Sequence, residues 1–506
     1  MHPTTRPIRP TIADLAHHAA GKWGSKDAVV FPGLRTLGFT ELDHLAGRFA
    51  GGLLALGLVR GDRVVLHLPN CWQWIVAYHA LARMGAVVVP ANILLSAVEI
   101  GFITVDSGAR AVILPDGAFP FSGSRPEFVI AAAEPGDAVG FETIADGPWT
   151  APADVSADAL FTIGYTSGTT GRPKGAELTQ GNVFSSTSLT ATIHVRTAED
   201  RIYSALPFPH VYGNVVMNAC FLTGATLIAP ARFDAGEALH AIAADRITLF
   251  EGVPTMYYQM LAHPGIAGAD LASLRRCTVG GQTMPLAKIE AAAARFGCPM
   301  LELWGMTEVA GPATSHSPYW PPRYGSIGLP FPGVDVRAAH ADDAQRDAAS
   351  GEAGELMVRG PLVTRRYWNN PAATALAITQ GWLATGDIGR IDEDGYIWIV
   401  DRKKDMILTA GYNVYPAEVE TVIAMLPAVS MVAVVGEPDE EKGEIAHAFI
   451  VLHRGAALGE AEILAHCRHH LASYKVPRRL HLVDDLPKTS TGKIMRRALR
   501  AGPGAA

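Results

Sequence analysis

Charge is scarce in this 506-residue chain: charged residues make up 18% of it against 49% apolar. That is below the quarter usual for soluble proteins, which excludes a disordered polyelectrolyte and implies extensive buried surface. Positive charge is in deficit as well. The 42 Lys and Arg face 49 Asp and Glu, a net charge of −7, so no global cationic field is available to hold nucleic acid or an anionic membrane. Cysteine is sparse. Cys71, Cys220, Cys277, Cys298 and Cys467 are odd in number and never spaced Cys-x-x-Cys, which argues against a disulfide framework and a structural zinc site and fits a reducing cytoplasm. Uninterrupted apolar runs are also missing. The richest neighbourhood, Trp74 to Val89, is broken by His79, Arg83 and Gly85, so it provides no integral membrane segment and reads as a soluble helix followed by a strand. Met1 to Pro7 and the turns after it lack the apolar stretch of a secretory signal.

At roughly 150 residues per domain, this length corresponds to about three or four globular units. From residue 28 to about 305, short β-branched runs alternate with longer amphipathic segments, as in Val64 to Leu68, Trp72 to Arg83, and Ala86 to Val89. Thr226 to Ala229, Ala235 to Ala244 and Thr248 to Gly252 repeat the pattern. It predicts parallel strands joined by crossover helices, a doubly wound α/β body, with no sheet order implied. Ala133 to Val155 and Asp342 to Gly351 read as polar surface loops. After Gly325, Gly354 to Arg359, Gly386 to Arg390 and Tyr396 to Val400 read as strands of a small β-rich subdomain. Beyond Asp401 a mixed α+β pattern follows, with strands at Val429 to Val435 and Ile445 to Val451 and a helix from Glu460. The expected division is 1–401, whose β-rich part covers about 325–401, and 402–506. His466-Cys467-Arg468-His469-His470 lies in helical spacing that spreads it over more than one face, against a zinc site. Asp392-Glu393-Asp394-Gly395 reads as a hairpin turn.

The strongest chemical signal is Tyr165-Thr166-Ser167-Gly168-Thr169-Thr170-Gly171-Arg172-Pro173-Lys174-Gly175, directly after the apolar strand Ala159 to Ile163. Glycines let backbone approach a ligand, hydroxyls donate hydrogen bonds, and Arg172 and Lys174 add positive charge, which suits a polyphosphate. The spacing is neither a Walker loop nor the dinucleotide fingerprint.

This loop resembles the phosphate-binding signature of the adenylate-forming superfamily, which includes acyl-CoA synthetases, aryl-CoA ligases, peptide-synthetase adenylation domains and firefly-type luciferases. Six further segments match in the family's order: Leu206 to His210, Leu303 to Glu308, Thr385-Gly386-Asp387, Asp401 to Asp405, Gly411 to Pro416, and Pro487 to Lys493. Together they span nearly the whole chain.

The resemblance implies a two-step ligase that uses ATP, Mg²⁺ and coenzyme A. A carboxylate attacks the α-phosphate, so anions crowd together and preorganised cations and donors must offset the charge. Thr166, Ser167, Gly168, Thr169, Thr170, Gly171 and Lys174 are implied to hold the phosphates, and Glu308 to place Mg²⁺. Lys493 is implied as the lysine that touches both the carboxylate and the α-phosphate, and His210 as the residue bordering the carboxylate. Asp387 and Arg402 are implied at the ribose and nucleotide, and Trp304, where many relatives carry tyrosine, on the adenine. Gly281, Gln282, Gly305, Met306 and Thr307 complete the nucleotide site. Val211, Tyr212, Gly213, Gly252, Val253 and Gly280 are expected to line an apolar acyl pocket, with Met306 at its edge.

One static arrangement serves both half-reactions poorly, because Lys493 occupies the thiol's approach. The family pivots at the segment matching 401–405, with Lys404 at the hinge, and brings Gly411 and Tyr412 to the pantetheine tunnel. Thr409-Ala410 precede Gly411 where many relatives have a second glycine. The expected substrate is an apolar monocarboxylic acid, fatty or aryl. Leu301-Glu302-Leu303 offers no arginine for a second carboxylate, although Arg232 and Arg276 lie elsewhere in the chain. A carrier-protein phosphopantetheine or oxygen as acceptor, and a catalytically silent binding protein, are the competing readings. The oligomeric state is left open, a homodimer being the assembly considered.

Overall fold

The computed structural model describes residues 9–117, 125–166, 173–340, 343–409, 412–439, 442–488 and 494–499. Two large sheets carry the first three hundred residues. One has seven strands in the order Val139–Gly140, Phe128–Ala131, Ala111–Leu114, Arg63–Leu66, Val87–Pro90, Leu160–Thr166 and Lys174–Thr179, all parallel except the last pair. The other has nine, and its centre runs Met300–Met306, Arg276–Val279, Leu249–Gly252, Arg201–Ser204, Thr226–Ile228 in parallel, with antiparallel strands at both ends. The expected doubly wound α/β body is therefore present.

The Trp74 to Val89 neighbourhood forms helix Trp72–Met84, buried from Trp74 onward on every face, and strand Val87–Pro90. A helix apolar all round belongs inside a large core, not on a surface. Among the described residues no helix is long and apolar enough to cross a membrane.

A six-stranded antiparallel sheet follows, including Gly354–Arg359, Trp382–Ile391 and Ile397–Arg402. Trp382–Ile391 alternates buried and half-buried residues for most of its length, as a strand with one face on a core should. The Asp392 to Gly395 turn closes the hairpin, with the Asp392 carboxylate accepting from the Asp394 and Tyr396 amides. The C-terminal part has a five-stranded sheet built on the long hairpin Val429–Asp439 and Gly443–Leu452, backed by helices Pro416–Ala424 and Glu460–His470.

Two expectations fail. Residues 133–155 are not a surface excursion, because helix Phe141–Ala145 buries Phe141, which stacks on Phe49 with ring centroids 4.2 Å apart. The segment docks on the small-residue face of helix Phe39–Ala55. A Cβ at Gly51 would lie 1.7 Å from the Pro148 carbonyl oxygen, so only glycine permits the approach. The polar stretch after Asp342 is likewise not a loop, since Asp343–Asp347 pairs antiparallel with Asp335–His340 as an edge strand, where polar side chains on the open face are tolerated.

Candidate active site

Parallel sheets gather function at the carboxyl ends of their strands, where the chain leaves the sheet and loops are free to vary. Four neighbouring strands of the nine-stranded sheet end together here. Arg201–Ser204 leads into the 206–210 loop, Leu249–Gly252 into Val253, Arg276–Val279 into Gly280 to Gln282, and Met300–Met306 into Thr307 and Glu308. The residues expected to form the acyl pocket and much of the nucleotide site are thus adjacent in space although spread over a hundred positions.

The phosphate loop differs locally from its expected form. The preceding strand runs on to Thr166 and pairs with Lys174–Thr179, so Tyr165, Thr166, Lys174 and Gly175 are strand residues at the open end of an antiparallel hairpin. Ser167 to Arg172, which include Ser167, Gly168, Thr169, Thr170 and Gly171 of the expected site, lie outside the described residues. Thr166 and Lys174 are directly paired, and a Cβ at Gly164 would stand 2.5 Å from the Thr307 side chain, so glycine lets this hairpin press against the Thr307–Val309 turn.

That contact brings Glu308 to the hairpin mouth. The residue is 5% exposed, and Oε1 accepts from the Tyr367 hydroxyl at 2.9 Å and from Thr166 Oγ1 at 3.4 Å. Among the described residues Oε2 receives no hydrogen bond. A buried carboxylate beside the Thr166 and Tyr367 hydroxyls is a hard oxygen donor, so the residues present fit Mg²⁺. Burial first, then the Glu308 charge, holds the Tyr367 phenol well above its usual range, so it stays a donor to the carboxylate. The Lys174 ammonium sits 5.7 Å from the Tyr367 ring centre. Sequence reasoning missed Tyr367. Its only local signal is an aromatic pair amid Arg365 and Arg366, and it joins the site through its bridge to Ala176 on the hairpin strand.

On the other side of Met300–Met306, the Trp304 indole N–H donates to Asp387 Oδ2 at 2.7 Å, and Arg402 Nε pairs with Asp387 Oδ1 at 2.5 Å. Asp387 is 2% exposed. These contacts fix the orientation of the carboxylate.

His210 caps helix Val211–Thr223, its Nδ1 accepting from the Tyr212 amide at 3.3 Å. The loop before it is clamped by Asn70, which donates to the Leu206 carbonyl and accepts from the Phe208 amide. Asn70 also escaped the sequence reading, because it lies 140 positions from His210. Val211 is half-buried, Gly213, Gly252, Val253 and Gly280 are buried, and Gly281, Gln282, Gly305, Met306 and Thr307 are half-buried. Tyr212 turns its hydroxyl away into the core, where Glu251 and Thr278 take it up.

In the 401–405 segment, burial raises the Asp401 carboxyl to about 6 against the opposing pull of the Ala417 amide, which donates to it, and of Arg496. Lys403 pairs with Glu355 of the antiparallel sheet at 2.8 Å, while Asp405 faces Arg496 at 3.7 Å and Lys404 between them is exposed. Gly411 lies outside the described residues, and the exposed Tyr412 stacks on Tyr474 at 4.6 Å. Lys493 also lies outside them.

Comparison with known proteins accords with this geometry. The model of the AMP-binding enzyme family matches residues 16–368, and that of the AMP-binding enzyme C-terminal domain matches 418–493. A long-chain-fatty-acid–CoA ligase of Mycobacterium tuberculosis, FadD13, is 38% identical, covering 91% of this chain and 92% of its own. A feruloyl-CoA synthase of an Amycolatopsis species is 36% identical over 96% of this chain and 99% of its own. The crystal structure of the anthranilate CoA ligase AuaEII with anthranoyl-AMP superposes with a TM-score of 0.89 at 27% identity, covering 99% and 98% of the two chains. The chain belongs to the AMP-binding enzyme family. It is an AMP-forming acid–thiol ligase: a carboxylate oxygen displaces pyrophosphate from ATP to give acyl-AMP, and the thiol of coenzyme A then displaces AMP to give acyl-CoA.

Proposed function

We propose that this ligase activates an apolar monocarboxylic acid, fatty or aryl, in a pocket at the carboxyl ends of the four neighbouring strands. The observation that carries this reading is the commitment of the buried cations along these strands: Arg196 beside the pocket, and Arg276 at the strands' amino ends. Arg276 pairs with Asp200 at 2.7 Å and Arg196 with Glu251 at 2.5 Å, while Val211, Gly252, Val253 and Gly280 offer no charge. A second carboxylate on the substrate would be buried without a partner, which is strongly unfavourable. Acyl-CoA formation across unbranched acids from C2 to C18, aromatic acids and the matching dicarboxylic acids tests this. The highest kcat/KM is expected on an apolar monocarboxylate, with its dicarboxylic counterpart lower by at least about a hundredfold. A preference for a dicarboxylic acid contradicts the reading.

Within that pocket His210 borders the carboxylate, and Thr166, Lys174 and the residues between them bind the β- and γ-phosphates. Lys493 neutralises the meeting of carboxylate and α-phosphate, Asp387 and Arg402 hold the ribose, and Trp304 lies against the adenine. Glu308 would hold Mg²⁺, which when bound draws charge from the phosphate oxygens. Residues 1–401 form the body and 402–506 turn against it about 401–405. The hinge is supported by its clasps, Lys403 to the body and Asp405 to Arg496, on either side of Lys404. After rotation Gly411 and Tyr412 border the pantetheine arm. A reducing cytoplasmic setting is supported by the five cysteines, none in a disulfide.

A further inference from the structure

Beneath the proposed acyl pocket lies an ion pair with no access to water. The side chains of Arg196 and Glu251 are both 0% exposed, joined from Nη2 to Oε1 at 2.5 Å. Such a pair is a poor source of stability, because removing two charges from water costs about as much as their attraction returns. This one is also incompletely satisfied. Among the described residues Arg196 Nε and Nη1 have no partner. Stability alone does not account for it.

The pair is the middle of a continuous chain of side-chain hydrogen bonds. Glu251 Oε2 accepts from Thr278 Oγ1 and, at 3.1 Å, from the Tyr212 hydroxyl, which also stands 2.5 Å from Thr278 Oγ1. On the other side, Ser315 donates its single hydroxyl proton to the Glu302 carbonyl at 3.0 Å, so it accepts from His194 Nε2 at 2.9 Å. His194 Nδ1 is then an acceptor and faces Arg196 Nη2 at 3.4 Å. Burial foremost, then the Arg196 charge, keeps this imidazole neutral, as the arrangement requires.

A second observation shows that the surroundings hold this chain in place. Val195, between His194 and Arg196, has φ +51°. A β-branched residue in the left-handed region persists only where its neighbours over-determine it. Here the Arg276 guanidinium donates to the Val195 carbonyl at 3.2 Å.

The two ends of the chain identify what it aligns. Tyr212 is the second residue of the helix that His210 caps, and Glu302 lies two residues before Trp304 on the strand that carries the nucleotide site. We propose that Glu251 and Arg196 are positioning residues for acyl-AMP formation: their buried bonded chain fixes the rotation of helix Val211–Thr223 against strand Met300–Met306, setting His210 relative to the nucleotide. This rests on the role proposed above for His210.

The test separates placement from stability. Removing one charge strands the other, so single variants at Arg196 or Glu251 lose stability whatever their role. The double variant Arg196→Met/Glu251→Leu removes both, and Arg196→Met/Glu251→Gln keeps the acceptor for Tyr212 and Thr278 but leaves the link to His194 broken. Acid-dependent pyrophosphate release and thermal melting are measured for both, for Tyr212→Phe and for His210→Ala. The Leu double variant is expected to melt near the parent, to lose about ten- to a hundredfold in kcat and to keep its KM for ATP within twofold. The Gln double variant keeps the acceptor but not the link through residue 196 to His194, so it should lose kcat about as the Leu double variant does, and Tyr212→Phe should lose several-fold in kcat with KM for ATP unchanged. Parent-like kcat in the Leu double variant, or in Tyr212→Phe should that double variant fail to fold, overturns the proposal, as does parent-like kcat in the Gln double variant. If His210→Ala is impaired while these variants are not, only the positioning claim fails. If His210→Ala is fully active, the role given to His210 fails with it.

Discussion

Replacing Lys493 with alanine is expected to slow acyl-AMP formation by about a thousandfold, taking the upper end of what loss of one preorganised donor to a developing anion costs. The reasoning is electrostatic. A carboxylate and a triphosphate carry like charge, and attack at the α-phosphorus gathers more of it on the oxygens between them. Lys174 is placed at the open end of the hairpin, over the Tyr367 ring that bonds Glu308, and is proposed to serve the departing end. A separate cation is needed at the α-phosphate, and a compact ammonium on a flexible stem can enter for one step and withdraw for the next. Transfer to coenzyme A from supplied acyl-AMP should therefore stay within about threefold of the parent, because that half-reaction does not need the lysine at the phosphate. Lys493→Arg should not restore the first step, since a planar fork does not replace a point charge. Equal loss in both half-reactions would place Lys493 in the fold and not in the chemistry.

Glu308→Gln should lower the rate of pyrophosphate release about a hundredfold and raise the Mg²⁺ concentration for half-maximal rate at least about tenfold, as expected when a charged oxygen donor becomes neutral. Glutamine preserves volume and can still accept from Tyr367 and Thr166, the two partners of Oε1, so melting should change little. Tyr367→Phe makes the contrast. It removes one hydrogen bond to the carboxylate and should cost only several-fold in rate, about the net worth of a bond to a charged group. Titrating MgCl₂ against pyrophosphate release at saturating ATP reads both. An unchanged Mg²⁺ dependence in Glu308→Gln would remove Glu308 from the metal site.

The alternation of short β-branched runs with amphipathic helices was enough to read a parallel α/β body, because each element must bury one face and its period shows which. Sheet order was not readable, since it is set by contacts far apart in sequence: Leu160–Thr166 lies beside Val87–Pro90, and Asp27–Phe31 beside Thr226–Ile228. The 133–155 segment misled for a related reason. Its Pro, Gly and Asp content resembles a loop, and the glycines that receive it sit on helix Phe39–Ala55, about ninety positions away. Within the candidate site, Thr166, Lys174, Glu308 and Asp387 sit in contiguous motifs, so they could be proposed from one dimension. Tyr367, Asn70 and the Glu251–Arg196 pair could not, because each acts through a partner distant in the chain and carries no local pattern of its own.

The central claim is that the acid is activated as a free-standing acyl adenylate before coenzyme A is needed. Exchange of labelled pyrophosphate into ATP measures that step in isolation, with an apolar acid and Mg²⁺ present and coenzyme A left out. The account predicts exchange that depends on the acid and proceeds without the thiol, with net AMP release appearing once coenzyme A is added. Exchange that requires coenzyme A, or that runs equally fast with no acid, would contradict it.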